Sequence, residues 1–130
     1  MKATILSVCS DPVLRLVIQE TLETEGYVVL SVGGLGTAVD RLREYKPDLL
    51  LIRPYIDNMV GHDAARYLRT RRPGMRVLMV TGLLDDDRLR YREAVQSIDV
   101  FPKPYTAAEL LEKVREVLGA KRSESRAAAK

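Results

Sequence analysis

The stretch PDLLLIRPYIDNMVG, residues 47–61, decides the fold. Leu49, Leu50, Leu51 and Ile52 form an unbroken apolar run, the pattern of a central parallel strand covered on both faces. Arg53 follows at the carboxyl end of that run. An unpaired guanidinium is costly beside a core, so the residue calls for a physical explanation. A strand buried on both faces also needs neighbouring strands at its edges and helices above and below it.

The flanking sequence supplies them. ATILSV (3–8), YVVLSV (27–32), MRVLMVT (75–81) and IDVF (98–101) read as four further strands. Asp11 and Pro12 read as an N-cap and first helical residue. Leu14, Ile18 and Leu22, with Val17 beside them, make the inner stripe of that helix, and Gly26 supplies a left-handed close. A second helix, 36–46, is stopped by Pro47, and a third, 61–72, has a small inner face of Ala64, Ala65 and Leu68. A fourth covers 85–95 with acids in its first turn. The last covers 106–119, with a capping box from Thr106 to Glu109, an inner stripe of Leu110, Val114, Val117 and Leu118, and Gly119 as its stop. Five β–α units with short loops predict an α/β fold: a doubly wound (βα)5 five-stranded parallel sheet with helices on both faces.

Composition narrows the function classes. The 130 residues are 46% hydrophobic and 30% charged, fitting one globular domain over 1–118. No apolar run approaches the roughly 20 residues of a membrane span, so no membrane partner is expected. A single cysteine, Cys9, excludes an internal disulfide and points to the reducing cytoplasm. The net charge of +3 sits entirely in the tail, because residues 1–118 hold 17 Lys/Arg and 17 Asp/Glu. Residues 119–130, with Lys121, Arg122, Arg126 and Lys130 against Glu124, read as a basic, disordered tail or linker. Nucleic acid is not an expected partner of the domain itself.

In doubly wound sheets ligands sit beyond the carboxyl ends of the strands. Those ends carry Cys9, Ser10 and Asp11, then Arg53, Thr81 and Lys103. Here ILSVCSDPVLR, PDLLLIRPYIDNMVG, VLMVTG and FPKPY, in that order and at matching intervals, resemble the receiver domain of two-component response regulators, a CheY-like, flavodoxin-like fold. The resemblance covers about residues 3–118. It implies an acid pair for magnesium after the first strand, an aspartate that accepts a phosphoryl group after the third, a switch threonine and a pocket lysine. Thr81 and Lys103 match. The acid pair falls on Cys9 and Ser10, and the acceptor on Arg53. The family's fifth-strand aromatic falls on Val100, and its glycine near the end of the fourth helix on Gln96.

These departures remove a specific chemistry. Magnesium wants oxygen ligands, usually carboxylates. A guanidinium, always protonated, is no nucleophile. Three acids and a lysine sum to −2, whereas Arg53 and Lys103 give +2. The expectation is a degenerate pseudo-receiver: no enzyme, no bound magnesium, a bacterial signalling module that engages a histidine kinase, an effector domain or another receiver without phosphorylation. Arg53 is expected to pair with Asp11, Asp57, Asp85, Asp86 or Asp87, or to clasp an anion with Lys103. The family's dimer and output face maps to helix 85–95, strand 98–101 and helix 106–119, making Arg88, Tyr91 and Arg92 candidate contacts of a homodimer or partner. The alternative is a non-standard modification, phosphorylation at Asp57, Asp11 or Ser10 or oxidation of Cys9, although Cys9 reads first as a small buried apolar residue. His62 reads as a solvated first-turn histidine. GGLG at 33–36 lacks the third glycine of a dinucleotide fingerprint, Val39 standing in its place. With no phosphate loop after the first strand, a flavin-type binder is disfavoured.

Overall fold

Along each strand of the computed structural model, successive side chains enter two different cores. The structure describes residues 3–53, 55–56, 59–81, 99–102 and 106–129. Strands β1 (Thr4–Val8), β2 (Val28–Val32), β3 (Leu49–Ile52), β6 (Arg76–Thr81) and β7 (Asp99–Pro102) form one parallel sheet in the order β2-β1-β3-β6-β7. On one face Leu6, Val8, Leu50, Ile52, Val77 and Met79 pack under α2 (Leu35–Glu44) and α3 (Gly61–Arg71). On the other, Ile5, Leu49, Leu51, Leu78 and Val80 pack under α1 (Pro12–Glu23) and α4 (Ala107–Ala129). The two-residue period of a strand thus divides the run 49–52 between both cores, and every member is at most 2% exposed. This is the flavodoxin-like order expected of the sequence. The helix predicted over 85–95 lies outside the described residues.

Local chemistry accounts for most element ends. Asp11 Oδ1 accepts from the amides of Val13 (3.0 Å) and Leu14 (3.2 Å), capping α1 with Pro12 in its first turn. Thr106 and Glu109 form the reciprocal capping box at 2.8 and 3.1 Å. Gly26 takes a φ of 86°, the left-handed conformation glycine tolerates best, in the turn between α1 and β2. Asp48 ties the amino ends of three strands together. Its Oδ2 accepts from Thr4 N (3.0 Å), its amide donates to Thr4 O (2.8 Å), and its carbonyl accepts from Arg76 N (3.0 Å). Asp48→Ala removes the charge-assisted bond and should cost about 1–2 kcal/mol, read as a lower urea midpoint with unchanged slope.

The structure corrects the sequence reading in three places. Val17 is 54% exposed and does not join the α1 stripe, whose buried members are Ile18 and Leu22. At about 100° per residue it lies a quarter turn from Ile18. Gly119 does not stop the last helix, which runs to Ala129 and takes in most of the tail expected to be disordered. One helical glycine costs only about 1 kcal/mol relative to alanine, and the residues after it include Ala, Lys, Arg and Glu, good helix formers. The loop after β3 holds a short antiparallel hairpin, β4 (Tyr55–Ile56) with β5 (Met59–Val60), that no periodicity announced.

Candidate functional site

The strand order reverses at β1: the chain goes from β1 to β2 on one side, then from β2 across to β3 on the other. Loops leaving β1 and β3 diverge there, which opens the crevice where such sheets place their sites. The pairings Val8↔Ile52 and Ile52↔Met79 bring Cys9, Arg53 and the end of β6 to one edge. Thr81 closes β6 opposite Pro102, the last residue of β7. The fold therefore assembles Cys9, Ser10, Arg53 and Thr81 as the motif spacing implied. Lys103 lies outside the described residues, as do Asp57, Asp85, Asp86, Asp87, Arg88, Tyr91 and Arg92.

Cys9 is 1% exposed, the packed position expected of a small apolar side chain. Its amide donates to Val32 O (3.1 Å), its Sγ lies 3.6 Å from the Asp11 carbonyl it donates to, and its own carbonyl accepts from Arg15 Nη1 at 3.0 Å. Ser10 and Asp11 are exposed. Arg53 is partly buried, and its Nη1 is fully buried without a hydrogen-bond partner. Asp11, one candidate partner, caps α1 instead, and among the described residues no ion pair includes Arg53. The reason lies in the backbone: Pro12 and the free amides of the first helical turn draw the carboxylate toward α1.

Arg15 is the residue that sequence reasoning missed. Its guanidinium rests between the Cys9 carbonyl and Gly33, where a Cβ would come within 2.6 Å of Nη1. The signal was Gly33 itself, the first glycine of GGLG, whose missing side chain leaves room for a long side chain from another element. Two arginines thus flank the end of β1, Arg15 toward β2 and Arg53 toward β3. His62 corrects another expectation. It is only 20% exposed, with Nε2 3.4 Å from Asp63 Oδ1, so it is held rather than solvated.

What this arrangement can do follows from its donors. Among the described residues no group of three or more His, Cys, Asp and Glu side chains could hold a metal ion. The edge offers a buried thiol, a hydroxyl and two guanidinium groups. Guanidinium donates hydrogen bonds and accepts none. The described part of the crevice is therefore built to receive oxyanions and to repel cations.

A five-stranded β2-β1-β3-β6-β7 sheet with its site at the β1/β3 reversal defines the receiver class of flavodoxin-like folds. Residues 5–115 match the response regulator receiver domain family, and the chain belongs to it. It is 28% identical over 116 residues to the probable transcriptional regulatory protein TcrX of Mycobacterium tuberculosis, covering 88% of this chain and 49% of that protein. It is 30% identical over 115 residues to the DNA-binding response regulator MtrA of Mycolicibacterium smegmatis, covering 88% and 50%. The chain therefore spans about half the length of these relatives. Among solved structures, a CheY-like receiver domain protein from Methanospirillum hungatei superposes with a TM-score of 0.82 at 26% identity, covering 95% of this chain and 99% of that one. Among the described residues no helix is long and apolar enough to cross a membrane.

Proposed function

We propose that this chain is a pseudo-receiver, an interaction module of two-component signalling that works without phosphorylation, magnesium or catalysis. One observation carries the reading. At the end of β3, where aspartyl phosphate chemistry needs a carboxylate, stands Arg53 with a buried, unpartnered guanidinium nitrogen. Cys9 and Ser10 at the end of β1 support it, since a thiol and a hydroxyl beside two arginines make a poor magnesium seat. Retention of both cores alongside loss of the reactive groups suits a module kept for its surface. Its partners on this reading are a histidine kinase, an effector domain or another receiver in a bacterial cytoplasm, and a homodimer would use the surface around helix 85–95, strand 98–101 and the last helix.

The test is a titration with magnesium and a small-molecule phosphodonor, followed by amide resonances around Arg53 and by intact mass. The expected outcome is no saturable shift and no added phosphoryl group. A magnesium-dependent, saturable shift at residues 9–11 and 53, or a stable mass increase on any side chain, would overturn the reading.

A further inference from the structure

We propose that the crevice at the end of β1 binds a small dianionic oxyanion of the phosphate class, noncovalently and without metal, between the guanidinium groups of Arg53 and Arg15. The inference rests on the pseudo-receiver reading, because a magnesium ion held at residues 9 and 10 would compete for the same space with the opposite charge preference.

Three observations lead there. First, Arg53 Nη1 is buried and unpaired, and a buried charged donor without an acceptor is expensive enough that native proteins usually satisfy it with protein, water or ligand. Second, Arg15 is held beside the same strand end, its Nη1 fixed on the Cys9 carbonyl over Gly33. Its Nε and Nη2 groups remain as further donors of the guanidinium fork. Third, the carboxylate of the β1–α1 turn that could neutralise either arginine, Asp11, has an oxygen committed to the first helical amides. Two guanidinium groups flanking the buried end of one strand balance two negative charges, and each matches the paired oxygens of phosphate or sulfate. The same site prefers such an anion to chloride or acetate, which carry one charge. Occupation would satisfy Arg53 and tie the loop after β3 to that after β1, giving the module one conformation set by an anion rather than by a phosphoryl bond.

The whole chain is titrated with inorganic phosphate at constant ionic strength in the absence of magnesium, by calorimetry and by amide resonances. Sulfate, a phosphomonoester, acetate and chloride form parallel arms. The expected result is saturable binding of phosphate and sulfate, centred on residues 9–11 and 53, with acetate and chloride weaker. Arg53→Gln should lower phosphate affinity about tenfold or more. Arg15→Gln, at a partly exposed position, provides a second variant that should fold even if the first does not, and should weaken binding in the same direction. Binding of the phosphomonoester as well would place the phosphate group on a larger ligand; binding of inorganic phosphate alone would point to the free ion, and either result supports the site. Shifts that grow linearly without saturation, or affinity unchanged in both variants, overturn it. Failure here is separable from failure of the pseudo-receiver reading, because that reading is decided by magnesium and phosphodonor and this one by phosphate without magnesium.

Discussion

Leu50→Ala is expected to remove about 2–5 kcal/mol of stability, a large share of the roughly 5–15 kcal/mol that holds a domain of this size. Leu50 is 0% exposed at the middle of the central strand, paired in register with Leu6 on β1 and Val77 on β6. Above it, α2 and α3 present Ala38, Ala64, Ala65 and Leu68, all 0% exposed. Alanine-faced helices already sit close to the sheet and have little side chain with which to fill a hole. The site should therefore collapse poorly, and the loss should fall toward the upper part of the range. Urea unfolding followed by circular dichroism checks the value, with Val17→Ala as the control. At 54% exposure Val17 should change stability by no more than about 0.5 kcal/mol. A loss at Val17 equal to that at Leu50 would contradict the packing of α1.

That pair of residues also shows what was legible in the sequence. Leu50 was readable because four consecutive apolar residues admit one interpretation, a strand covered on both faces, and because the helical patterns around it leave no other place for a core. Val17 was misread because a valine beside a stripe satisfies the count of apolar positions, while its angle on the helix decides its burial. The hairpin at 55–60 was invisible, since two-residue strands carry no period. The extension of α4 past Gly119 was lost to a rule of thumb that a single glycine ends a helix, where its cost is small against ten good or tolerable helix residues. At the site, Cys9, Ser10 and Arg53 were legible from their offsets to strand ends, because a parallel sheet fixes where those ends meet. Arg15 was not. Its position depends on a contact between α1 and the loop after β2, and only the vacancy left by Gly33 hinted at it.

Restoring carboxylates should reverse the character of the crevice. The triple variant Cys9→Asp, Ser10→Asp and Arg53→Asp changes the local charge by −4: two units from Arg53 and one from each of the others. The backbone that would present these side chains is already in place, since β1 and β3 are paired up to Val8 and Ile52. Without metal, three carboxylates at one strand edge repel: each pair about 4 Å apart costs roughly 4 kcal/mol at an effective dielectric near 20. The Cys9 position is 1% exposed, which adds the cost of burying a charge. The variant is therefore expected to melt well below the parent in a chelator and to regain stability in magnesium, by about 2.7 kcal/mol when the ion is at 100 times its dissociation constant. The parent should show no magnesium dependence. Arg53→Asp alone should remain indifferent too, because a single carboxylate beside a thiol and a hydroxyl offers too few hard oxygen ligands. Adding Arg15→Gln to the triple variant should tighten magnesium binding further by removing the remaining described cation at the end of β1. A parent chain stabilised by magnesium would mean that Ser10, Asp11 and backbone oxygens already suffice to seat the ion, and the electrostatic basis of the pseudo-receiver reading would be lost. A triple variant that folds yet ignores the ion would instead mean that the strand ends no longer hold the geometry that octahedral coordination demands.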